Sequence, residues 1–451
     1  MTKIRAKLAL TPGGWARDVT VSITADGFIG AVASGPGDIQ ADILLPAPSN
    51  VHSHAFQRAM AGLTEAQSPS GKDGFWTWRD MMFRFLDHLA PGDVQAIAAL
   101  VQMEMLEAGY AACGEFHYLH HRPDGTHYGN IAEMSVAICA AAADTGIGLT
   151  LLPVLYQQGG ADGRPLTQGQ LRFGNDTTSF FKLLDAARSA LAHLPPDTVM
   201  GAAPHSLRAA TPDGIKAVVQ GCAGPIHMHL AEQTAEVNEI SLAYGQRPGE
   251  WLLNNAPPDD RWCLIHCTQL DANEISALAQ SGAIAGLCPL TEASLGDGIF
   301  PGANWLAAGG ALAIGSDSNI RVTLTGELEQ LEYSQRLQDK ARAVMAGPGR
   351  STGRCLYDAT LDGGAQAMGR KAGQIAPGHL ADLVALDGSA PDLIGRSGDQ
   401  ILDTWIFAAG DGLVRDVWSA GRHMVRGGRH VARGQILGNY RNCMKRLSEV
   451  L

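Results

Sequence analysis

Ile43-Leu44-Leu45-Pro46-Ala47-Pro48, leading through Ser49-Asn50-Val51 to His52-Ser53-His54, is a short apolar run that ends in chemically active side chains. The same construction recurs along the chain, at residues 111–116, 148–154, 199–205, 226–230, 262–266, 283–289 and 311–317. Short apolar runs closed by Gly, Pro or a polar group read as buried parallel strands. The intervening stretches, such as 91–109 and 179–193, return apolar residues every three or four positions, as amphipathic helices do. Eight such units are what a closed (β/α)8 TIM barrel needs, with its chemistry at the strand ends.

Outside this repeat the pattern changes. Val19-Thr20-Val21-Ser22-Ile23 and Leu383-Val384-Ala385-Leu386 are short strands among glycine-rich turns. The expected organisation is an α/β chain in which residues 47–374 form the barrel. Residues 1–46 and 375–451 are expected to form a small β-sandwich domain from both chain ends, with a helix over 439–451.

Bulk properties narrow the partners. At 451 residues, with 45% hydrophobic and 18% charged, the chain can bury a large core. A formal net charge of −11 argues against a surface that reads phosphates, so no nucleic-acid partner is expected. Lys3, Arg5 and Lys7 precede only Leu8-Ala9-Leu10, too short a run for a secretory signal. No apolar stretch reaches the ~18–20 residues needed to span a bilayer, so a cytoplasmic protein without a membrane partner is expected. The eight cysteines, at 113, 139, 222, 263, 267, 288, 355 and 443, form no C-x-x-C pair and are expected to be reduced.

The strand ends carry the functional signal. In a strand, residues i and i+2 share a face, so His52 and His54 can both turn toward the barrel mouth. His229 closes the fifth run, His266 the sixth and Asp317 the eighth. His52, His54, His229 and Asp317 together meet the pattern of a catalytic zinc site, in which protein ligands leave room for a water. His227 shares a face with His229 and could ligate in its place.

The H-x-H pair, His229-Leu230-Ala231-Glu232, His266 and Ser316-Asp317 together resemble the amidohydrolase superfamily in its deaminase branch. The run from Gly373 to Leu383 is similar to that family's return into its β-sandwich. Dinuclear members carry a carboxylated lysine after the fourth strand. Pro204-His205-Ser206-Leu207-Arg208 stands there instead, which implies one Zn2+ per chain. The resemblance favours His229 over His227, because His229 stands three residues before Glu232. It also implies roles: Asp317 as ligand and general base, Glu232 as proton carrier, and His266 as hydrogen-bond partner of the attacking hydroxide. Family members commonly pair as homodimers, so a homodimer is expected.

Four pocket segments refine the likeness. They are His52 to Leu63, Phe75-Trp76-Thr77-Trp78-Arg79, Gly114 to His121 and Cys288 to Gly298. All are similar to the formimidoylglutamate deiminases of histidine degradation, which implies a small acidic amino-acid-derived substrate, N-formimidoyl-L-glutamate. Two carboxylates on a substrate call for planar arginine donors, and Arg79 and Arg208 fall in loops expected at the mouth. The resemblance assigns carboxylate contacts to Arg79, Tyr118, His205 and Arg208, and a contact near the reacting end to Gln57. Leu290 departs from the pattern, where a polar residue is expected. His117, His120, His121 and His127 match no closed zinc spacing and read as a hydrogen-bonded loop.

Two alternatives stay open. A deaminase of the same branch acting on a ring, such as a guanine or adenosine derivative, would keep the metal residues and change only the pocket. A catalytically inactive scaffold would show gaps in the metal set, and the sequence shows none. The H-x-E with P-C-x-x-C signature of the other zinc deaminase fold is absent, as is H-E-x-x-H.

Overall fold

The computed structural model describes residues 2–68, 71 and 74–449, with the backbone alone at Phe75 and Trp76, so the Phe75 and Trp76 side chains of the segment quoted above lie outside the described part. The barrel is built from Ser49–Ser53, Ala112–His117, Gly148–Leu155, the interrupted pair Val199–Met200 and Ala203–Pro204, Ile226–Leu230, Trp262–His266, Ile284–Leu287 and Ala311–Ile314. Neighbouring strands pair in parallel. Single bridges at Ala202–Ile226 and Ser53–Asp317 join the two halves, so the ring closes as expected. Helices cover the outer faces of these strands, which is why the strands read as unbroken apolar runs.

The first strand is gripped closely on both sides. A Cβ at Gly315 would stand 2.7 Å from His52 Cβ, and one at Gly114 would stand 2.5 Å from the Val51 carbonyl oxygen. Only glycine lets the second and eighth strands approach this far. The seam that results carries His52 and Asp317 side by side: the Ser316 and Asp317 amides both donate to the His52 carbonyl, and the His54 amide donates to the Asp317 carbonyl.

Helices Pro91–Ala108 and Thr177–Leu191 occupy the spans that periodicity indicates. Asp176 caps the second by accepting from the Ser179 amide, a bond that satisfies one orphan donor of the first turn.

Both chain ends build one eight-stranded sheet, in which Ile39–Pro46 lies between Thr2–Thr11 and Leu383–Leu386. Ile4, Val21, Ile29, Leu44, Leu383 and Trp418 close a separate core there. Residues 43–46 belong to this sheet, on the sandwich side of the boundary expected after residue 46, so the apolar run that opens the repeat ends before the first barrel strand, which starts at Ser49. Pro46 ends the first run and Pro48 has no amide to donate, so the chain leaves one sheet and enters the other between them. The C-terminal helix is also longer than its apolar pattern shows. It spans Arg433–Leu447 and buries Ile436, Cys443 and Leu447.

A buried ion network ties the sheet to the floor of the barrel. Arg370, wholly buried, donates to Asp382 at 2.9 Å and to Asp197 at 3.1 Å. Arg422 donates to the second Asp197 oxygen at 2.7 Å, and Asp382 accepts from the Ala420 amide. The cysteines are all free thiols. No helix among the described residues is long and apolar enough to cross a membrane.

Candidate active site

The rim of the barrel gathers side chains from four strand ends. His52, His229, His266 and Asp317 each offer one ligand atom, and these atoms all lie within 4.8 Å of one another. His54 joins them, its Nε2 3.2 Å from Asp317 Oδ1. Both nitrogens of the buried His52 lack a hydrogen-bond partner, although Nε2 lies 3.4 Å from Asp317 Oδ1. A buried imidazole without partners is costly unless a ligand completes it, so the set fits a divalent cation.

Outer hydrogen bonds set the tautomers. His54 Nδ1 donates to the Phe116 carbonyl at 2.9 Å, and His229 Nδ1 donates to the His205 carbonyl at 3.1 Å. Each leaves an Nε2 lone pair for the centre. His227 is different: its Nε2 donates to the Ala367 carbonyl at 2.8 Å, deeper in the barrel, and the described metal-ligand groups do not include it.

Burial makes these imidazoles neutral, as a metal ligand must be. It pushes His52 down to about 3, and it lowers His54 and His229, whose imidazole neighbours add to the effect. Asp317 goes the other way. Burial would raise it, but the adjacent His52 ring and the electrostatic pull of His54 and His266 hold it well below the usual carboxylate range.

Glu232 and His266 form a second unit beside this cluster. His266 Nε2 lies 3.7 Å from Glu232 Oε1 and 3.9 Å from Asp317 Oδ2. Burial opposes charge on His266, yet Glu232, the bond to Glu292 and Asp317 raise it to about 10. Burial pushes Glu232 up to about 7, against the pull of His266 and Arg208. A carboxyl group poised near neutrality can both accept and return a proton.

The backbone is special at these same places. Ala231, His266, Cys267, Asp317 and Asn319 all adopt positive φ without being glycine. Buried hydrogen bonds hold them: Asn319 donates to Ser53 Oγ and to the Asp317 carbonyl, and Asn50 donates to Ser316 Oγ. Strained backbone of this kind persists where the surroundings over-determine it, often at functional sites.

A cleft of about 560 Å³, including its open mouth, lies over the cluster. Gln57, Arg79, Tyr118, His205 and Arg208 all line it, together with Glu232, His266 and Asp317. Gln57 Nε2 donates to Tyr118 Oη at 2.7 Å, and Arg208 Nη2 stands 3.9 Å from Glu232 Oε2. Burial and the positive charge of Arg208 keep His205 neutral.

The cleft has walls that sequence reasoning left out. Tyr156 and Phe173 line it as well, and Leu295 does so from within the quoted segment Cys288 to Gly298. Tyr156 stands two residues beyond Val154, so the alternation that pointed to His52 and His54 could have found it. Phe173 sits in a loop and carries no such signal. His120 and His121 bond the Val154 and Gly174 carbonyls, as a hydrogen-bonded loop does. At Leu290 the turn is held through the backbone, whose amide donates to Glu327, so a polar side chain is not needed there.

Comparison with known proteins follows the same lines. The profile of the Amidohydrolase family matches residues 43–424, and that of the Formimidoylglutamate deiminase HutF N-terminal domain matches residues 1–40. A formimidoylglutamate deiminase of Pseudomonas aeruginosa is 48% identical over 440 residues, covering 95% of this chain and 96% of its own. The crystal structure of an amidohydrolase from Brucella melitensis superposes with a TM-score of 0.95 at 44% identity, covering 99% of this chain and all of its own. An atrazine chlorohydrolase from Arthrobacter aurescens, solved in complex with zinc, superposes with a TM-score of 0.84 at 20% identity, covering 98% of this chain and 100% of its own, a likeness of fold alone.

Proposed function

Because the chain belongs to the Amidohydrolase family, we propose that it hydrolyses N-formimidoyl-L-glutamate to N-formyl-L-glutamate and ammonia. The observation that carries this reading is the 48% identity, over 95% of the chain, with a formimidoylglutamate deiminase. The cleft supports it physically: two arginines, a tyrosine and a histidine line the same space as the metal-ligand cluster. Such donors suit a dicarboxylate.

We read the resident ion as one Zn2+, held by His52, His54, His229 and Asp317. Such an ion lowers the pKa of a water from about 16 toward 7 and so supplies hydroxide at neutral pH. The protein's own groups do the rest. Asp317 takes a proton from the attacking water, and His266 Nε2, facing both carboxylates, stabilises charge on the oxygen as it adds to the formimidoyl carbon. Glu232 faces the amidine, which is cationic at neutral pH, and attracts it. It then carries a proton to the amino nitrogen, the C–N bond breaks, and loss of the remaining hydroxyl proton leaves the formyl carbonyl. Arg79, Tyr118, His205 and Arg208 hold the glutamate carboxylates, while Gln57 orients the reacting end.

The direct test is to incubate metal-loaded protein with N-formimidoyl-L-glutamate and measure both products. Equimolar ammonia and N-formyl-L-glutamate are expected, with no deamination of adenosine or guanine derivatives. Turnover of a ring substrate without turnover of the amidine would overturn the assignment.

Arg208→Met tests the carboxylate clamp. Methionine keeps much of the buried volume but removes a charged donor, a loss of about 2 kcal/mol or more. The expected result is KM raised ~30-fold with kcat changed far less, and an unchanged kcat/KM would remove Arg208 from the clamp.

A further inference from the structure

His266 is tethered differently from its neighbours His54 and His229. His54 and His229 give their Nδ1 protons to main-chain carbonyls, which no substitution at the acceptor residue removes. His266 Nδ1 instead meets a side chain, Glu292 Oε1, at 3.2 Å. Glu292 is 4% exposed and lies in the short helix Pro289–Leu295 that follows the seventh barrel strand. The same oxygen accepts from the Cys288 amide at 2.8 Å, so the carboxylate is itself anchored to the backbone.

The adjoining residues bind the other side of the rim. Thr291 Oγ1 donates to the Ser316 carbonyl at 3.2 Å and pairs with Ser318 Oγ at 2.9 Å, and the Leu290 amide donates to Glu327 at 2.9 Å. This one turn therefore touches the segments that carry His266 and Asp317. Both of those residues have positive φ, 71° and 46°, a conformation an L-residue keeps only when its neighbours impose it. The helix lies in the Cys288–Gly298 segment, to which the mechanism above gives no task.

The geometry points to Glu292 as a positioning residue for the hydrolysis: by accepting the His266 Nδ1 proton it aims Nε2 into the gap between Glu232 and Asp317. It is not among the residues lining the cleft and acts through the ring. A carboxylate holding the far nitrogen of an active imidazole fixes its rotation and its proton, and loss of such a partner costs ~10- to 100-fold in activity. The inference rests on the hydrolytic reading for its kinetic consequence, but its hydrogen bond can be observed without any substrate.

The test compares wild type with Glu292→Ala and Glu292→Gln, each loaded with zinc. The glutamine oxygen can still accept from His266 and Cys288, whereas alanine removes the acceptor. Expected for Glu292→Ala is a kcat on N-formimidoyl-L-glutamate lowered ~10- to 100-fold with KM within ~3-fold and metal content as in wild type. Expected for Glu292→Gln is recovery of most of that kcat. In parallel, the proton NMR spectrum of the wild type should show a slowly exchanging imidazole Nδ1–H signal, assigned to His266 by its loss in His266→Gln. It should persist in Glu292→Gln and vanish in Glu292→Ala. A signal unchanged in Glu292→Ala overturns the inference whatever the activity. An active wild type with an equally active Glu292→Ala overturns it too. Failure of the wild type to turn over the substrate would count against the proposed function, and the NMR comparison would still decide Glu292.

Discussion

Replacing Glu232 with glutamine will cut kcat by about 10³-fold while leaving bound metal at the wild-type level. The side chains are nearly the same size, and the segment does not depend on the carboxylate for its shape. The Glu232 amide donates to Glu236 at 3.0 Å, and Thr268 Oγ1 donates to the Glu232 carbonyl at 2.6 Å, so the backbone stays where it is. What changes is chemistry: an amide can neither pick up a proton near neutral pH nor offer a full negative charge to a cationic amidine. The loss should therefore fall mainly on kcat, with a smaller rise in KM. Steady-state kinetics with metal analysis on the same sample settles it. Turnover within ~5-fold of wild type would take Glu232 out of the proton-transfer step.

Asp382→Ala should cost about 3–5 kcal/mol of stability, because it strips a buried charge from its partner. Arg370 is wholly buried, and of its two carboxylate partners it would keep only Asp197, which also serves Arg422, together with the Asp197 carbonyl. The Ala420 amide, which donates to Asp382, would lose its acceptor as well. Urea unfolding of the two proteins at pH 7 measures the difference, and a change below ~1 kcal/mol would mean that water or rearrangement replaces the pair. The same network has a pH signature. Burial would raise Asp197, but the bonds and charges of Arg422 and Arg370 hold its carboxyl below the usual range. It then binds fewer protons folded than unfolded. Its contribution is full above the unfolded pKa of about 3.9 and is lost as the pH falls through the lower folded value. Stability should accordingly fall on acidification below about pH 4, and less steeply in Asp197→Asn.

Much of the site was legible because a parallel barrel sends each strand's last side chains to one rim. Local alternation then says which residues face the mouth, and His52, His54, His229, His266 and Asp317 stand together there. The strand that opens the barrel was not legible from its apolar run, since residues 43–46 are as hydrophobic as a barrel strand and differ only in their pairing partner. Hydropathy records burial and not the neighbour that provides it. The start of the last helix was hidden for a related reason: its polar first turns are helical only because the helix buries Ile436 and Cys443.

Sequence alone determined the βα repeat, the rim residues and the family likeness, because these depend on order and spacing within short segments. The tertiary structure decided that His227 bonds the Ala367 carbonyl and lies apart from the metal cluster, that Glu292 reaches His266, and that Tyr156 and Phe173 wall the cleft. Each of those facts is a distance between segments far apart in the chain. Such distances are set by how strands twist and close on one another, which no local pattern encodes.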